Sequence, residues 1–296
     1  MPSIDSDSNT IKNIPFTDQG STPTTPSSGK TRIFTKSDGL YIVNSIGTVT
    51  GPFAIASTGA AADGWASADA MTYASADSPT FTMTCSGDQT AKYSPGMRIK
   101  LTQTTVKYFI ITAVSYGAPN TTITLYGGTD YTLANAAITS PYYSTAKAPG
   151  GFPLSPIKWT VEASDTTNRT TANPTANTWV NLHSSGGITI PIGVWRVSYQ
   201  VSLYIYNNAA QVNAWVTLST ANNTESDADM TANIEVYGAG DGATDINTTI
   251  YREKYLSLAT KTAYYLNSKT DQANVDTVAW INSYSKMIIR AVCAYL

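Results

Sequence analysis

The chain is poor in the residue types on which most catalytic and metal sites depend. It contains one histidine, His183, and two cysteines, Cys85 and Cys293. A zinc site needs three or four such ligands, and any Ser-His-Asp or Cys-His arrangement would have to include His183. Because His183 lies in the polar turn Asn181–Gly187, we expect it at the surface, and we expect no catalytic group, metal or cofactor. The cysteines lie in strand-like segments and are predicted to be buried thiols, with a disulfide or a metal site as the alternative.

Charge is also scarce. Asp, Glu, Lys and Arg make up 13% of the sequence and give a net charge of −2. Typical soluble domains carry about 25% charged residues, so neutral polar side chains must cover this surface. The basic residues are scattered, whereas nucleic-acid-binding proteins cluster them, so no nucleic acid is expected as a partner. Thr and the 19 Tyr favour strands, and the composition therefore predicts an all-β protein.

Long apolar runs are absent too. No stretch approaches the roughly 20 apolar residues that cross a bilayer, so no membrane insertion is expected. The first residues, Met1–Asp7, have neither the basic nor the apolar segment of a signal peptide. We therefore expect a protein that is made in a cytoplasm and reaches any exterior location by a route other than secretion, of which assembly into a virus particle is one.

The N-terminal part of the chain reads as an arm followed by a hairpin. Residues 1–30 are rich in Ser, Thr, Asp, Asn and Pro and are predicted to be an extended arm that becomes ordered on a partner. Residues 31–52 predict a β-hairpin, because Asp38 and Gly39 separate two apolar runs. The apolar side chains that would anchor the arm are Ile4, Ile11, Ile14 and Phe16.

The remaining chain divides into three segments. Residues 53–78 are rich in Ala, Ser and Gly and predict a linker, whereas 79–150 carry closely spaced strand signals that favour a small barrel or sandwich. A Pro/Gly-rich boundary precedes 151–296, which predict a double-sheet jelly roll. The clearest strand, Val194–Tyr206, alternates strictly. Its predicted core face consists of Trp195, Val197, Tyr199, Val201, Leu203 and Ile205.

Two stretches resemble known proteins. Residues 22–41 resemble a segment of phage tail and fibre proteins, with a Pro-rich lead and a core of the form GKxRIYxKxDGxLY, and Gly47–Pro52 supplies its Gly-Thr-x-x-Gly-Pro exit. The last 120 residues resemble the C1q/TNF-like jelly-roll knob through Gly187–Tyr199, Tyr264–Leu266 and Ile288–Leu296. The resemblance implies a homotrimeric bacteriophage head or tail fibre. Its N-terminal arm would bind a capsid or tail protein, and its knob would bind a host receptor.

Aromatic side chains supply the candidates for receptor contact. Tyr and Trp combine a flat apolar face with a polar tip, which suits the recognition of sugars or proteins. Packing in the core or in a three-fold interface is the alternative for most of them, since exposed aromatic faces are unusual on a monomer. The polar loops at 221–249 are the other expected place for a receptor site. The candidates are Tyr204, Tyr206, Trp215, Tyr237 and Tyr251.

Paired carboxylates leave one route to catalysis open. A glycan depolymerase needs two acids about 5–10 Å apart, one of them with a raised pKa. The candidate acids are Glu225, Asp227, Asp229, Asp241 and Asp245. They lie in Gly/Asn/Ala-rich surroundings, which favour solvated loop acids, with a calcium site as an alternative.

Taken together, these features lead us to expect a structural virion protein for host attachment. The alternatives are a capsid decoration protein without receptor binding, a tailspike depolymerase and a bacterial adhesin.

Overall fold

The computed structural model describes most of the chain after residue 18. The described ranges are 19–37, 39–53, 63–181, 187–207, 211–237, 244–272, 275–280 and 284–296. They form antiparallel sheets with two short 3-10 helices, Pro156–Trp159 and Ala228–Met230, and no α-helix within those ranges, which confirms the all-β prediction. None of the helices in them has the length and apolar character needed to cross a membrane. The chain divides into two compact units, Met1–Gly59 and Ala60–Leu296.

The first unit contains the predicted hairpin, to which a third strand is added. Phe34 and Tyr41 stack with their ring centroids 5.4 Å apart and form its small core together with Val43. The Gln19 N–H donates to the carbonyl of Thr35 at 2.7 Å, so the described end of the arm lies along this sheet. The strands are β1 (Arg32–Lys36), β2 (Gly39–Val43) and β3 (Val49–Phe53), in the order β1–β2–β3.

The second unit begins with a seven-stranded antiparallel sheet. Its strands β4 and β5 lie within the segment whose composition favours a linker, because Trp65 and Met71 are buried there and tie that segment to the sheet. Cys85 is a buried free thiol, as predicted. The strands, whose sheet order is β4–β10–β7–β8–β9–β6–β5, are β4 (Ala66–Ser67), β5 (Thr72–Asp77), β6 (Thr80–Ser86), β7 (Arg98–Gln103), β8 (Thr105–Gly117), β9 (Asn120–Tyr126) and β10 (Thr139–Ser144).

Two further sheets follow in the same unit. Their strands are β11 (Thr160–Asp165), β12 (Arg169–Ala172), β13 (Val180–Asn181), β14 (Ile188–Ile190), β15 (Gly193–Asn207), β16 (Gln211–Ser219), β17 (Thr231–Tyr237), β18 (Thr244–Leu258), β19 (Thr262–Thr270), β20 (Val275–Trp280) and β21 (Met287–Cys293). The front sheet contains β11–β21–β15–β18, and β20 and β12 continue it beside the second half of β15. The back sheet contains β19, β16 and β17, with β13 and β14 both paired to β19.

This strand order is that of a jelly roll. If β11, the β13/β14 pair, β15 to β19 and β21 are numbered one to eight, the front sheet has the order 1-8-3-6 and the back sheet 2-7-4-5. Successive strands therefore alternate between the two antiparallel sheets, except for β16 and β17, which are neighbours in the back sheet, as in double-sheet jelly rolls. The jelly-roll prediction for the C-terminal segment is thus confirmed.

Strand β15 shows why this sequence folds as a sandwich. All six side chains of its predicted core face are buried, and the alternate side chains point to the outer face of the front sheet. Burying the Tyr199 ring requires a partner for its hydroxyl, which lies 3.0 Å and 3.1 Å from the carbonyls of Val216 and Met230. Cys293, on β21 beside Trp195, is also a buried free thiol, and burial raises its pKa to about 11.

The seven-stranded sheet and the jelly roll share an aromatic core. The Tyr126 ring meets the Trp195 ring edge-on, with a centroid distance of 4.9 Å, and Phe152 stacks on Trp159 at 5.0 Å. Gly193 begins β15 at a φ of 129°, and a Cβ there would come within 3.1 Å of Thr112 on β8. The sequence boundary near Phe152 therefore lies inside a packed junction.

Candidate functional site

Three of the candidate receptor residues share the outer face of the front sheet. Tyr204 and Tyr206 are half-buried on β15, on the side opposite its core face. Tyr251 lies on β18 directly opposite Gln200, which places it on the same face, and its side chain is 55% exposed. Tyr255, which was not a candidate, is 63% exposed on that face. The front sheet therefore presents an open aromatic surface.

Charged pairs lie among these tyrosines. The Tyr251 hydroxyl donates to Glu253 at 2.7 Å, and this bond to a carboxylate, followed by burial, raises the pKa of Tyr251. Arg196 lies 3.8 Å from the same carboxylate, and Arg290 donates to Glu162 at 2.6 Å. The outer face thus alternates exposed rings with paired charges, a pattern that suits contact with another protein surface.

Trp215 lies on the opposite side of the jelly roll, on the outer face of the back sheet. The ammonium of Lys269, its cross-strand neighbour on β19, lies 4.9 Å from its ring centroid. On the far side of Lys269 stands Trp179, whose ring centroid lies 4.7 Å from the same nitrogen. The Asn177 N–H donates to the Thr270 carbonyl at 2.7 Å, which holds the residues before β13 against β19 and so places Trp179 beside Lys269.

The other candidates are placed differently. Tyr237 ends β17, where the description covers the backbone alone, and Ile4, Ile11, Ile14 and Phe16 lie outside the described residues. The described aromatic candidates therefore do not form one cluster. They divide between the two outer faces of the sandwich, with Trp215 alone on the back.

The first part of the predicted recognition loop is fixed to the back sheet. Asn267 is fully buried on β19, and its amide donates to the carbonyls of Ala221 (3.0 Å) and Thr224 (2.8 Å). Its side-chain oxygen accepts from the Asn223 N–H at 3.2 Å. These bonds hold residues 221–224 against the back sheet beside Asn267, and Trp215 is half-buried.

Two of the candidate acids of that loop are paired with a lysine, and the third, Glu225, accepts a hydrogen bond from the Thr231 hydroxyl at 2.7 Å. Lys254 Nζ lies 2.8 Å from a carboxylate oxygen of Asp227 and 2.8 Å from one of Asp229. The hydrogen bond from Lys254 lowers the pKa of Asp229, whereas a general acid needs a raised pKa. Since β18 carries Lys254 in the front sheet, the pair fastens the loop across the edge of the sandwich. Asp241 lies outside the described residues, and the description of Asp245 covers the backbone alone.

No cluster of three or more His, Cys, Asp or Glu side chains that could hold a metal ion occurs among the described residues. Calcium would require several carboxylate or carbonyl oxygens around one point. The two loop carboxylates that come closest to this arrangement, Asp227 and Asp229, instead share the ammonium of Lys254.

Comparison with known proteins gives weak likenesses. No protein-family model matches the chain, and no curated protein matches its sequence. Dimeric latent PorU from Porphyromonas gingivalis aligns over 77% of this chain and 24% of its own, at 7% identity and a TM-score of 0.26. The VP2 subviral particle of infectious bursal disease virus aligns over 76% of this chain and 58% of its own, at 14% identity and a TM-score of 0.25. The chain thus spans less than two thirds of either structure, and scores this low carry no argument about function.

Proposed function

We propose that this chain is a structural protein of a bacteriophage particle: a trimeric fibre, anchored by its N-terminal arm, that attaches to a host-surface glycan or protein through its jelly roll. The observation that carries the proposal is a jelly roll whose front sheet exposes tyrosines and arginines on a face that a second copy could cover. The resemblance of residues 22–52 to phage fibre segments supports the virion assignment.

A trimer would explain why the front sheet carries exposed tyrosine side chains. Tyr251 and Tyr255 are more than half exposed, and a closed three-fold contact would bury them without leaving a free adhesive surface. Arg196, Glu253, Arg290 and Glu162 would then lie within or beside the interface, where charged pairs select register and partner.

We assign anchoring to the N-terminal arm and host attachment to the back sheet. Residues 1–30 are too poor in apolar side chains to fold alone, which favours binding to a capsid or tail protein. If the front sheet faces its trimer partners, the back sheet with Trp215 remains available to the receptor. Three weak sites per fibre and many fibres per particle would supply avidity.

Catalysis has no place in this proposal. Two of the candidate acids, Asp227 and Asp229, are paired with Lys254, and the pKa of Asp229 is lowered. The chain would act by binding, in the virion, without a cofactor.

Light scattering on the full-length protein tests the trimer. We expect a mass near three times the 31.5 kDa of one chain. Tyr251→Arg, which places a further charge on the front face, should shift the mass towards one chain. Asn233→Arg, at an exposed position of the back sheet, should leave the trimer intact. A monomeric wild-type protein would contradict the trimer and favour a capsid decoration subunit bound singly.

Deletion of residues 1–30 tests the anchor. The shortened chain should remain a soluble trimer and fail to enter phage particles during assembly. Normal incorporation would refute the anchoring role while leaving the trimer and the attachment function untouched.

A further inference from the structure

One lysine of the second unit differs from two others that have similar surroundings. Among the described residues of that unit, three lysines each lie over two aromatic rings. Lys92 also has the carboxylate of Asp69 at 2.9 Å, and Lys100 has that of Asp63 at 3.5 Å. Lys269 has no carboxylate within ion-pair distance in the part of the chain that the structure describes. The ring pairs are Tyr93 and Tyr143 for Lys92, Trp65 and Tyr142 for Lys100, and Trp179 and Trp215 for Lys269.

The acids nearest to Lys269 on the back sheet have other partners. Asp271, the residue that follows β19, accepts hydrogen bonds from the backbone N–H and the side-chain amide of Asn213, at 2.9 and 2.8 Å. Glu235 on β17 accepts a hydrogen bond from Gln211. Both carboxylates therefore bind neighbouring amide groups, and neither forms an ion pair with Lys269.

The two indole rings define what such an ammonium attracts. They flank its nitrogen at 4.7 and 4.9 Å and displace water from its sides, which strengthens its interaction with an anion in the remaining direction. Indole rings also offer apolar surface to the C–H groups of a sugar ring. Asn233, exposed on β17 directly opposite Trp215, adds an amide that can bond to hydroxyl groups.

We propose that Trp179, Lys269 and Trp215 form a binding site for an anionic saccharide, a pyranose that carries a carboxylate. The carboxylate binds the Lys269 ammonium, the ring lies against the indoles, and Asn233 contacts the hydroxyl groups. This inference rests on the proposed attachment function, for which it names the ligand class and the side of the jelly roll.

A pair of small sugars tests the site on the full-length protein. Methyl β-glucuronide and methyl β-glucoside differ in the carboxylate, and binding is followed through the indole N–H signals of the six Trp residues. We expect the glucuronide to shift the signals of Trp179 and Trp215, assigned with Trp179→Phe and Trp215→Phe, and to bind at least tenfold more tightly than the glucoside. Absence of a saturable shift in both signals, or equal affinity for the two sugars, would overturn the proposal.

Lysine variants separate the site from general packing. Lys269→Met keeps an aliphatic stem between the rings and should weaken glucuronide binding about tenfold or more, because a charge-assisted hydrogen bond is lost. Lys269→Arg should retain binding. Lys100→Met, in the matched setting with its own carboxylate, should bind the glucuronide like the wild type. Unchanged affinity in Lys269→Met would refute the assignment.

Host-cell adsorption distinguishes this inference from the function on which it rests. If the wild-type trimer binds host cells and Lys269→Met binds them equally well, the saccharide site is wrong and the attachment function stands. If the wild-type trimer binds no host cells while the glucuronide shifts are present, the attachment function fails and the saccharide site stands.

Discussion

At the scale of single residues, Arg98 is the least expected feature of the chain. Its guanidinium is fully buried on β7 and donates to the carbonyls of Gly96, Lys147 and Tyr295 at 2.6, 3.1 and 2.9 Å. It also lies 4.8 Å from the ring centroid of Phe152. Burial lowers its pKa, and the oxygen atoms that hold the charge belong to the backbone. Arg98 thus joins three chain segments at the junction of the seven-stranded sheet and the jelly roll.

Replacing Arg98 should therefore cost much more than replacing a surface arginine. Arg98→Met keeps the aliphatic stem but leaves buried carbonyls without donors, and we expect a loss of about 2–4 kcal/mol in the free energy of unfolding. The measurement is urea denaturation followed by Trp fluorescence. Lys261→Met, which removes an exposed pair with Asp77, is the control and should change stability by less than about 1 kcal/mol. Equal effects of the two variants would contradict this role.

The contribution of Asp69 to the free energy of unfolding should depend on pH. Burial alone would raise the pKa of this carboxyl, but hydrogen bonds from Lys92 and Tyr93 outweigh burial, and the net pKa lies below the ordinary 3.8. A group with a depressed folded-state pKa stabilises the protein fully above its unfolded pKa and loses that contribution as the pH falls through the folded value. We expect Asp69→Asn to lower the free energy of unfolding near neutral pH by up to about 1 kcal/mol, and this difference from wild type should shrink below about pH 4. Denaturation series at pH 7 and pH 3 check it, and a difference that stays constant between them would refute it.

The sequence could identify single residues only where local context determines their role. Burial of Cys85 and Cys293 followed from strand-like neighbours. The burial of Arg98 could not be predicted, because its three acceptors lie 2, 49 and 197 residues away along the chain. The same limit explains why Trp215 was singled out without Trp179 or Lys269, since cross-strand pairing alone brings these residues together.

At the scale of elements, the back sheet is organised by the loop that follows β16. Asn267 holds residues 221–224 by three hydrogen bonds, and Lys254 holds Asp227 and Asp229 from the front sheet. A loop with the composition of a mobile recognition segment is therefore fixed at two points. Composition does not reveal these bonds, because both partners lie in strands that are distant in sequence.

Removing the first of these two attachments should release the loop without unfolding the sandwich. Asn267→Ala removes one acceptor and leaves two carbonyls without their donor, and we expect a loss of about 2–3 kcal/mol in stability. Hydrogen exchange of the amides at 220–226 should speed up, while β15 stays protected. Asn233→Ala, at an exposed position of the neighbouring strand, should leave both properties unchanged. Unaltered exchange at 220–226 in Asn267→Ala would contradict this role of Asn267.

The alternation of apolar residues predicted which segments form strands better than it predicted where those strands begin and end. The alternation of β15 gave its core face correctly, since strand periodicity is a local property. The first half of strand β18 is polar and carries little local strand signal, and it forms because β18 pairs with β15 along its whole length. Polar edge strands of this kind leave only a weak signal in the sequence.

At the scale of the whole second unit, the question is whether the seven-stranded sheet and the jelly roll unfold together. Their shared core contains Tyr126 and Trp195 in edge-on contact, and Gly193 allows β15 to begin against Thr112. A junction built from buried aromatic rings couples the two parts, whereas the sequence showed only a Pro/Gly-rich boundary. We therefore expect one cooperative transition for residues 63–296.

Tyr126→Ala tests this coupling, because it removes a large ring from the junction without changing any residue of the jelly roll. We expect a loss of about 3 kcal/mol, a typical cost of deleting a buried aromatic side chain, and the loss should appear equally in both parts. Hydrogen exchange in β9 and in β15 under increasing urea measures the two responses separately, and coincident shifts indicate one cooperative unit. Tyr116→Ala, at a largely exposed position of the same sheet, is the matched control and should shift neither. If β9 were destabilised while β15 kept its wild-type midpoint, the jelly roll would be an independent folding domain, and the junction would be a contact surface between two domains.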